Sequence, residues 1–245
     1  MSGRTIVIGD VHGCADELED LLAEVSLSDD DELFFVGDLV VRGPKPARVL
    51  SLVRRHRGRA VRGNHEHRLL RWRALRSGKG KGWKKDPTAI DRRVIDSKML
   101  RRTAEELSDE DWAQIAAWPL WLDAHGGALR VVHAGLVPGV PIERQEERTL
   151  LYVRGIDEDG EPTELRDAGT PWGALYEGPP HVAFGHNAQR ETQRHPWATG
   201  LDTGCVYGGA LTALVLHSTD AIPPPHERRD VLWQVPARQT YHPVT

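Results

Sequence analysis

The chain has 245 residues, 39% of them hydrophobic, and a formal net charge of −4, which suits one domain (residues 1–245) with a sizeable core. Two cysteines, Cys14 and Cys205, are too few for a disulfide framework and are expected as reduced core thiols. No apolar run is long enough to span a bilayer and no basic start precedes an apolar stretch, so a cytoplasmic protein without a membrane partner is expected.

In chain order, a strand is predicted over 4–9, a helix over 15–25 with Leu18, Leu21, Leu22 and Val25 at helical spacing, and a strand over 32–36, which together open a βαβ unit. A second helix after Pro44 carries Val49, Leu50, Leu52 and Val53, a strand ends at Arg62, and a helix begins near His65 and continues through Leu69, Leu70 and Trp72. Residues 88–107 read as a further helix, and Ser108 as the N-cap of a helix through 112–118. Strands then dominate, at 120–124, 129–132, 181–184, 197–201, 210–216 and 231–235. Two facing sheets with helices outside are expected, an α/β (α+β) layout with a small basic helical cap or flap over about 68–118.

The small net charge hides an asymmetry, because 54–102 holds eighteen Lys and Arg against Glu66, Asp86, Asp91 and Asp96. Within it, 68–85 mixes basic residues with Trp72, Trp83 and three glycines, a pattern suited to focusing a polyanion and stacking a base. Packing of both tryptophans into the cap is the competing expectation.

The chemistry lies in six short segments: Gly9-Asp10-Val11-His12-Gly13, the stretch from Gly37 through Asp38 to Arg42 and Gly43, Gly63-Asn64-His65-Glu66, His133-Ala134-Gly135, Gly185-His186 and Asp202-Thr203-Gly204. The first five each follow an apolar run and so fall at strand ends, where ligands bind in open α/β sheets. Asp10 and His12 are two apart, which on an extended strand end aims both side chains to one side. Asp10, His12, Asp38, Asn64, His133 and His186 make a mixed oxygen and nitrogen set large enough for two divalent cations, with one carboxylate able to bridge. Such donors suit Mn²⁺, Fe²⁺ or Zn²⁺ better than Ca²⁺, with Mn²⁺ the first choice and Co²⁺ or Mg²⁺ further candidates. Two cations about 3.5–4 Å apart would generate hydroxide from a bridging water near neutral pH and clamp phosphoryl oxygens for in-line displacement. Arg42 can pair with a phosphate through its planar fork, and His65 can donate a proton to the leaving oxygen.

These segments closely resemble the calcineurin-like metallophosphoesterases of the phosphoprotein phosphatase superfamily, and the resemblance spans nearly the whole chain, from Ile6 to Leu216. Gly-Asp-Leu-Val-Val-Arg-Gly-Pro at 37–44 looks like the diadenosine tetraphosphatase branch, and the His133, Gly185-His186 and Asp202 segments look most like ApaH-like phosphatases. The resemblance implies a central β-sandwich flanked by helices, the six metal ligands above, Arg42 on phosphate and His65 as proton donor. It also implies substrate contacts from Tyr207 and from a second arginine after His133; Arg154 matches best, with Arg148 and Arg166 nearby. Where the protein Ser/Thr phosphatases carry an aspartate before the arginine, this chain has Val41, which removes the usual carboxylate partner of His65 and favours substrates whose leaving group needs no proton. A phosphate leaving group, with a second pKa near ~6, is of that kind. Glu66 is the candidate replacement for the missing acid.

The expected activity is hydrolysis of phosphoanhydrides in dinucleoside polyphosphates, other nucleotides, polyphosphate or a capped RNA 5′ end. A protein Ser/Thr phosphatase using the same two-metal site, and a non-catalytic nucleotide- or RNA-binding module, are the alternatives.

Overall fold

The computed structural model describes residues 3–77, 93–218 and 220–243. Its first sheet has the order β13 (Leu232–Pro236), β12 (Ala210–His217), β1 (Arg4–Ile8), β2 (Glu32–Phe35), β3 (Arg59–Ala60). β1, β2 and β3 run parallel, joined by α1 (Ala15–Glu24) and α2 (Pro46–Arg55), whereas β12 and β13 are antiparallel additions. The second sheet has the order β10 (Gln193–Arg194), β11 (Ala198–Gly200), β9 (His181–Phe184), β5 (Leu129–Val132), β4 (Trp121–Ala124), with β5, β9 and β11 parallel. A small sheet of β6 (Gly155–Ile156), β7 (Pro162–Thr163) and β8 (Thr170–Pro171) was not legible in strands so short.

The two-residue period of the strands divides the core into layers. Val7 and Phe34 point between the sheets and meet Leu129, Val131, Ala183 and Leu214, while Ile6, Ile8, Leu33 and Phe35 point the other way, under the helices. That helical layer comprises α1, α2, α3 (Asn64–Ser77), α4 (Lys98–Glu106) and α5 (Asp109–Ala117), and its buried residues run continuously from Leu18 through Leu69 to Ile115. Beyond the second sheet, α6 (Glu147–Tyr152) and α7 (Trp172–Leu175) enclose a third cluster around Trp172 and Phe184. The expected two-sheet sandwich with outer helices is therefore what the chain forms.

The helix expected over 88–107 differs in its described part. Helical residues at 93–95 give way at Asp96, and Ser97 starts a new helix by accepting the Leu100 N–H at 3.3 Å. Ser108 caps α5 as predicted, in a reciprocal box with Asp111. Trp72 packs into the core and donates its indole N–H to the Ile95 carbonyl, so base stacking is excluded for it. Trp83, with the rest of the basic stretch at 78–92, lies outside the described residues.

Arg4 ties the first strand to the end of α1. Its guanidinium reaches the Val25 and Ser26 carbonyls at 2.9 and 3.0 Å and both Asp31 oxygens. Burial opposes ionisation of Asp31, yet the bonds from Arg4 and Ser28 outweigh it and hold the carboxyl well below its usual value. A depressed folded-state pKa contributes stability above the unfolded value and loses it as pH falls through the folded one. Asp31→Asn is therefore expected to cost about 2 kcal/mol at neutral pH. Thermal melts should show the gap to wild type narrowing as pH drops below about 4; a gap of constant size would contradict an ionic origin.

Candidate metal centre and active site

Five of the six segments follow β1, β2, β3, β5 and β9 at their carboxyl ends, and the sixth follows β11, so both sheets deliver their loops to one edge of the sandwich. The loops interlock through their backbones: His12 N–H donates to the Asp38 carbonyl at 2.8 Å, Gly13 N–H to Leu39 at 2.7 Å, and Gly185 N–H to His133 at 2.8 Å. His12, Asp38, Val41, Arg42 and His186 all have positive φ, between 47° and 71°. Left-handed backbone is costly for residues other than glycine, most of all for β-branched Val41, and its concentration in the loops of one site marks a functional constraint.

That conformation corrects one expectation. Asp10 and His12 do face each other, with His12 Nε2 at 4.0 Å from Asp10 Oδ2, but β1 ends at Ile8 and a left-handed turn at His12, not an extended strand end, brings them together.

Asp38 is the hub. Its Oδ1 accepts the His65 backbone N–H at 2.9 Å, and its Oδ2 lies 3.7 Å from His12 Nε2, 3.9 Å from His65 Nε2 and 3.5 Å from His133 Nε2. Two groups able to hold an ion share it: His12, Asp38 and His65 on one side, Asp38, His133 and His186 on the other. Asp10 accepts the His186 backbone N–H with both oxygens, at 3.2 and 3.1 Å, and so fixes the far loop. Gly63 and Gly185 permit these approaches, since a Cβ on either would stand 2.2 Å from Asp38 Oδ1 or 1.9 Å from Asp10 Oδ1.

The donor set fits cations on its own chemistry. His133 donates Nδ1–H to the Val36 carbonyl at 2.9 Å, and His12 Nδ1 faces the Val40 carbonyl at 3.4 Å, contacts that fix the ring and leave Nε2 as a lone-pair donor. Burial holds His133 down at about 4, so it is neutral at ordinary pH. Its Nε2 then faces Asn64 Oδ1 at 3.1 Å and Asp38 Oδ2 at 3.5 Å, lone pair against lone pair, an arrangement that a cation between them resolves. Burial, with Asp202 and Asp38 adding to it, raises the Asp10 carboxyl well above its usual range, and burial pushes Asp38 up to about 7, the excess of buried negative charge that bound cations would neutralise.

Arg42 stands over the cluster, with Nη1 3.1 Å from His12 Nε2 and its guanidinium 5.4 Å from the centroid of the Tyr207 ring. Arg154 is half-buried and bonds Asn187, next to His186, while Arg148 is turned away in an exposed pair with Glu164 and Arg166 bonds the Ala188 carbonyl. The cluster thus gathers all six predicted ligands with His65, Arg42 and Tyr207, and Arg154 joins its margin through the bond to Asn187.

Two acids were misjudged from sequence. Glu66 is no partner for His65: its Oε1 accepts N–H from Leu39 and Val40, and its Oε2 from Asp38 and Gly63, all at 2.9 to 3.1 Å. Burial and Asp38 push this carboxyl up to about 7, and the four N–H donors oppose that by occupying the lone pairs a proton would need. His65 Nδ1 stays buried with no hydrogen-bond partner among the described residues, and burial together with His12 and Arg42 holds its imidazole well below its usual value. Asp202, quoted in the sixth segment without a role, is buried beside Asp10, and its Oδ1 accepts the Gly204 N–H at 3.0 Å. Its signal was its place after an apolar strand, as in the other five.

The chain is similar to known proteins over most of its length. The bis(5′-nucleosyl)-tetraphosphatase PrpE [asymmetrical] of Halalkalibacterium halodurans is 31% identical over 236 residues, covering 85% of this chain and 88% of that protein. The bis(5′-nucleosyl)-tetraphosphatase, symmetrical, of Serratia proteamaculans is 33% identical over 276 residues, covering 93% and 96%. A crystal structure of a candidate diadenosine tetraphosphatase superposes with a TM-score of 0.76 at 32% identity, covering 97% of this chain and 95% of the other. A Saccharomyces cerevisiae protein serine/threonine phosphatase shares the fold alone, with a TM-score of 0.56 at 15% identity over 99% of this chain and 82% of its own. The profile of the calcineurin-like phosphoesterases matches residues 3–214, the stretch that carries all six segments, and the chain belongs to that family.

Proposed function

We propose that this chain hydrolyses phosphoanhydride bonds in dinucleoside polyphosphates of the diadenosine tetraphosphate type, or in nucleotides, polyphosphate and capped RNA ends that offer the same bond. The observation that carries the reading is the isolation of His65: Val41 is fully buried where an acid would stand, Glu66 is committed to four backbone amides, and the imidazole is held neutral. A site without a ready proton donor suits a phosphate leaving group far better than a serine alkoxide. The names of the relatives from Halalkalibacterium halodurans and Serratia proteamaculans support the same substrate class.

Asp10, His12, Asp38, Asn64, His133 and His186 would hold two divalent cations, with Mn²⁺ first among Mn²⁺, Fe²⁺, Zn²⁺, Co²⁺ and Mg²⁺. Bound there, such ions supply a nucleophilic water at neutral pH and neutralise charge on the phosphoryl oxygens. Arg42 takes the transferred phosphoryl group through its fork, and Arg154 contacts the substrate from the side of Asn187. His65 orders the leaving oxygen, and Tyr207 holds the Arg42 plane by stacking beneath it.

The test is the ratio of rates on diadenosine tetraphosphate and on a phosphoserine peptide, with Mn²⁺ present. The expected outcome favours the nucleotide by at least about a hundredfold, the scale a positioned general acid contributes to the slower reaction. A preference for the peptide would overturn the reading in favour of a protein phosphatase, and tight binding without product in favour of a sensor. The products assign the bond attacked: two ADP for symmetrical cleavage, ATP with AMP for asymmetrical. No described helix is long and apolar enough to cross a membrane.

A further inference from the structure

A cleft of about 340 Å³ opens beside the metal centre, between the start of α2, one face of α4 and the C-terminal segment. That is within the size of small-ligand sites, about 300–1,000 Å³. Arg42 is one of its walls, so the side chain that approaches His12 Nε2 at 3.1 Å on one side borders the cleft on the other. The Arg42 Nε is buried and has no acceptor among the described residues.

The lining has the chemistry of an extended anion site. Lys98 and Arg102 lie four apart on α4 and so share a helix face, both exposed, with Glu106 as the one acid in the wall among the described residues, 3.7 Å from Arg102. Opposite them stand Tyr241 and His242. The Tyr241 ring is fixed by its hydroxyl, which donates to Glu17 at 2.7 Å, and the His242 ring is 6.2 Å from Tyr207, the ring beneath Arg42. Cationic groups thus run from the metal centre into the cleft along one wall, and flat rings along the other.

We propose that this cleft receives the distal arm of the substrate: the phosphates beyond the scissile anhydride pass Arg42 to meet Lys98 and Arg102, and the far nucleoside rests against Tyr241 and His242. The inference rests on the anhydride reading and adds what that reading lacks, a place for the half of the molecule that is not attacked. Arg42 then stands between two phosphates, the transferred one on the side of His12 and the next one on the side of the cleft. A substrate with a single phosphate would occupy the metal centre and leave the cleft vacant.

The test is the double variant Lys98→Ala/Arg102→Ala, assayed on diadenosine tetraphosphate and on p-nitrophenyl phosphate. Both side chains are exposed, so the fold should hold. KM for diadenosine tetraphosphate is expected to rise about tenfold, the loss of two charge-assisted phosphate contacts in a solvated wall, with kcat within about twofold. Both constants for p-nitrophenyl phosphate should stay at wild-type values. An unchanged KM for diadenosine tetraphosphate overturns the proposal, and so does an equal loss on both substrates, because a cleft used by the distal arm alone cannot matter to the small ester. If wild-type protein cleaves p-nitrophenyl phosphate but not diadenosine tetraphosphate, the anhydride reading has failed; if it cleaves both and the variant does not discriminate, only the cleft has.

Discussion

Asp38→Ala is expected to abolish turnover, with kcat falling by at least about a thousandfold, the scale on which loss of a preorganised electrostatic group is felt. The size follows from its position. One oxygen fixes the His65 backbone at 2.9 Å and the other is the common neighbour of three imidazoles within 3.9 Å, so the substitution unsettles both halves of the donor cluster at once. Asp38→Asn separates shape from charge: the amide oxygen can still accept the His65 N–H, but the negative charge facing the imidazoles is gone. It should lose cation binding, read as metal content after dialysis, with a melting temperature close to that of metal-free wild type. Near-normal rates in Asp38→Ala would mean that the reacting centre lies elsewhere.

Glu66→Ala should be the most destabilising single change at the site, although this residue touches neither substrate nor, by its geometry, a cation. It leaves the amides of Asp38, Leu39, Val40 and Gly63 buried without acceptors. Each orphaned buried N–H costs about 1–3 kcal/mol, so the sum is on the order of 4 kcal/mol or more, a large share of the roughly 5–15 kcal/mol that holds a domain together. The melting temperature is expected to fall by about 10 °C. Activity should fall with it, because the turn that carries Asp38 and the Val40 carbonyl facing His12 loses its anchor. Glu66→Gln presents an NH₂ group to N–H donors and should recover only part of either loss. A melting temperature equal to wild type would show that the turn is held by other contacts.

Much of this was legible in the sequence, for a physical reason. Strand ends can be read from apolar runs such as Ile6-Val7-Ile8 and Val182-Ala183-Phe184, and residues that follow the ends of parallel strands emerge at one edge of a sheet. All six candidate ligands could be placed at that edge in this way, without reference to contacts. How the loops bend could not be read so. The left-handed turn at His12 is imposed by the hydrogen bonds of Asp38 and Leu39, partners more than twenty residues away. The role of Glu66 was hidden for the same cause: adjacency to His65 suggested a side-chain partner, whereas on the first turn of α3 its carboxylate reaches back to the Asp38 loop. The small sheet of β6, β7 and β8 escaped because two-residue strands carry no periodicity. In 88–107 the helical pattern was visible, but the capping competition won by Ser97 was not.

The hydrogen bonds from His186 to Asp10 join residues 176 positions apart, and they close only when both sheets have docked. Closing so long a loop carries an entropic penalty that local helices and hairpins do not share, so this junction belongs among the last contacts to form as the chain folds. Ions held there by donors from both ends of that loop would be ligands of the native state alone, and by mass action would draw the folding equilibrium toward it. The supply of divalent metal in the surrounding medium would then govern how many chains are intact, before it governs how fast any of them works.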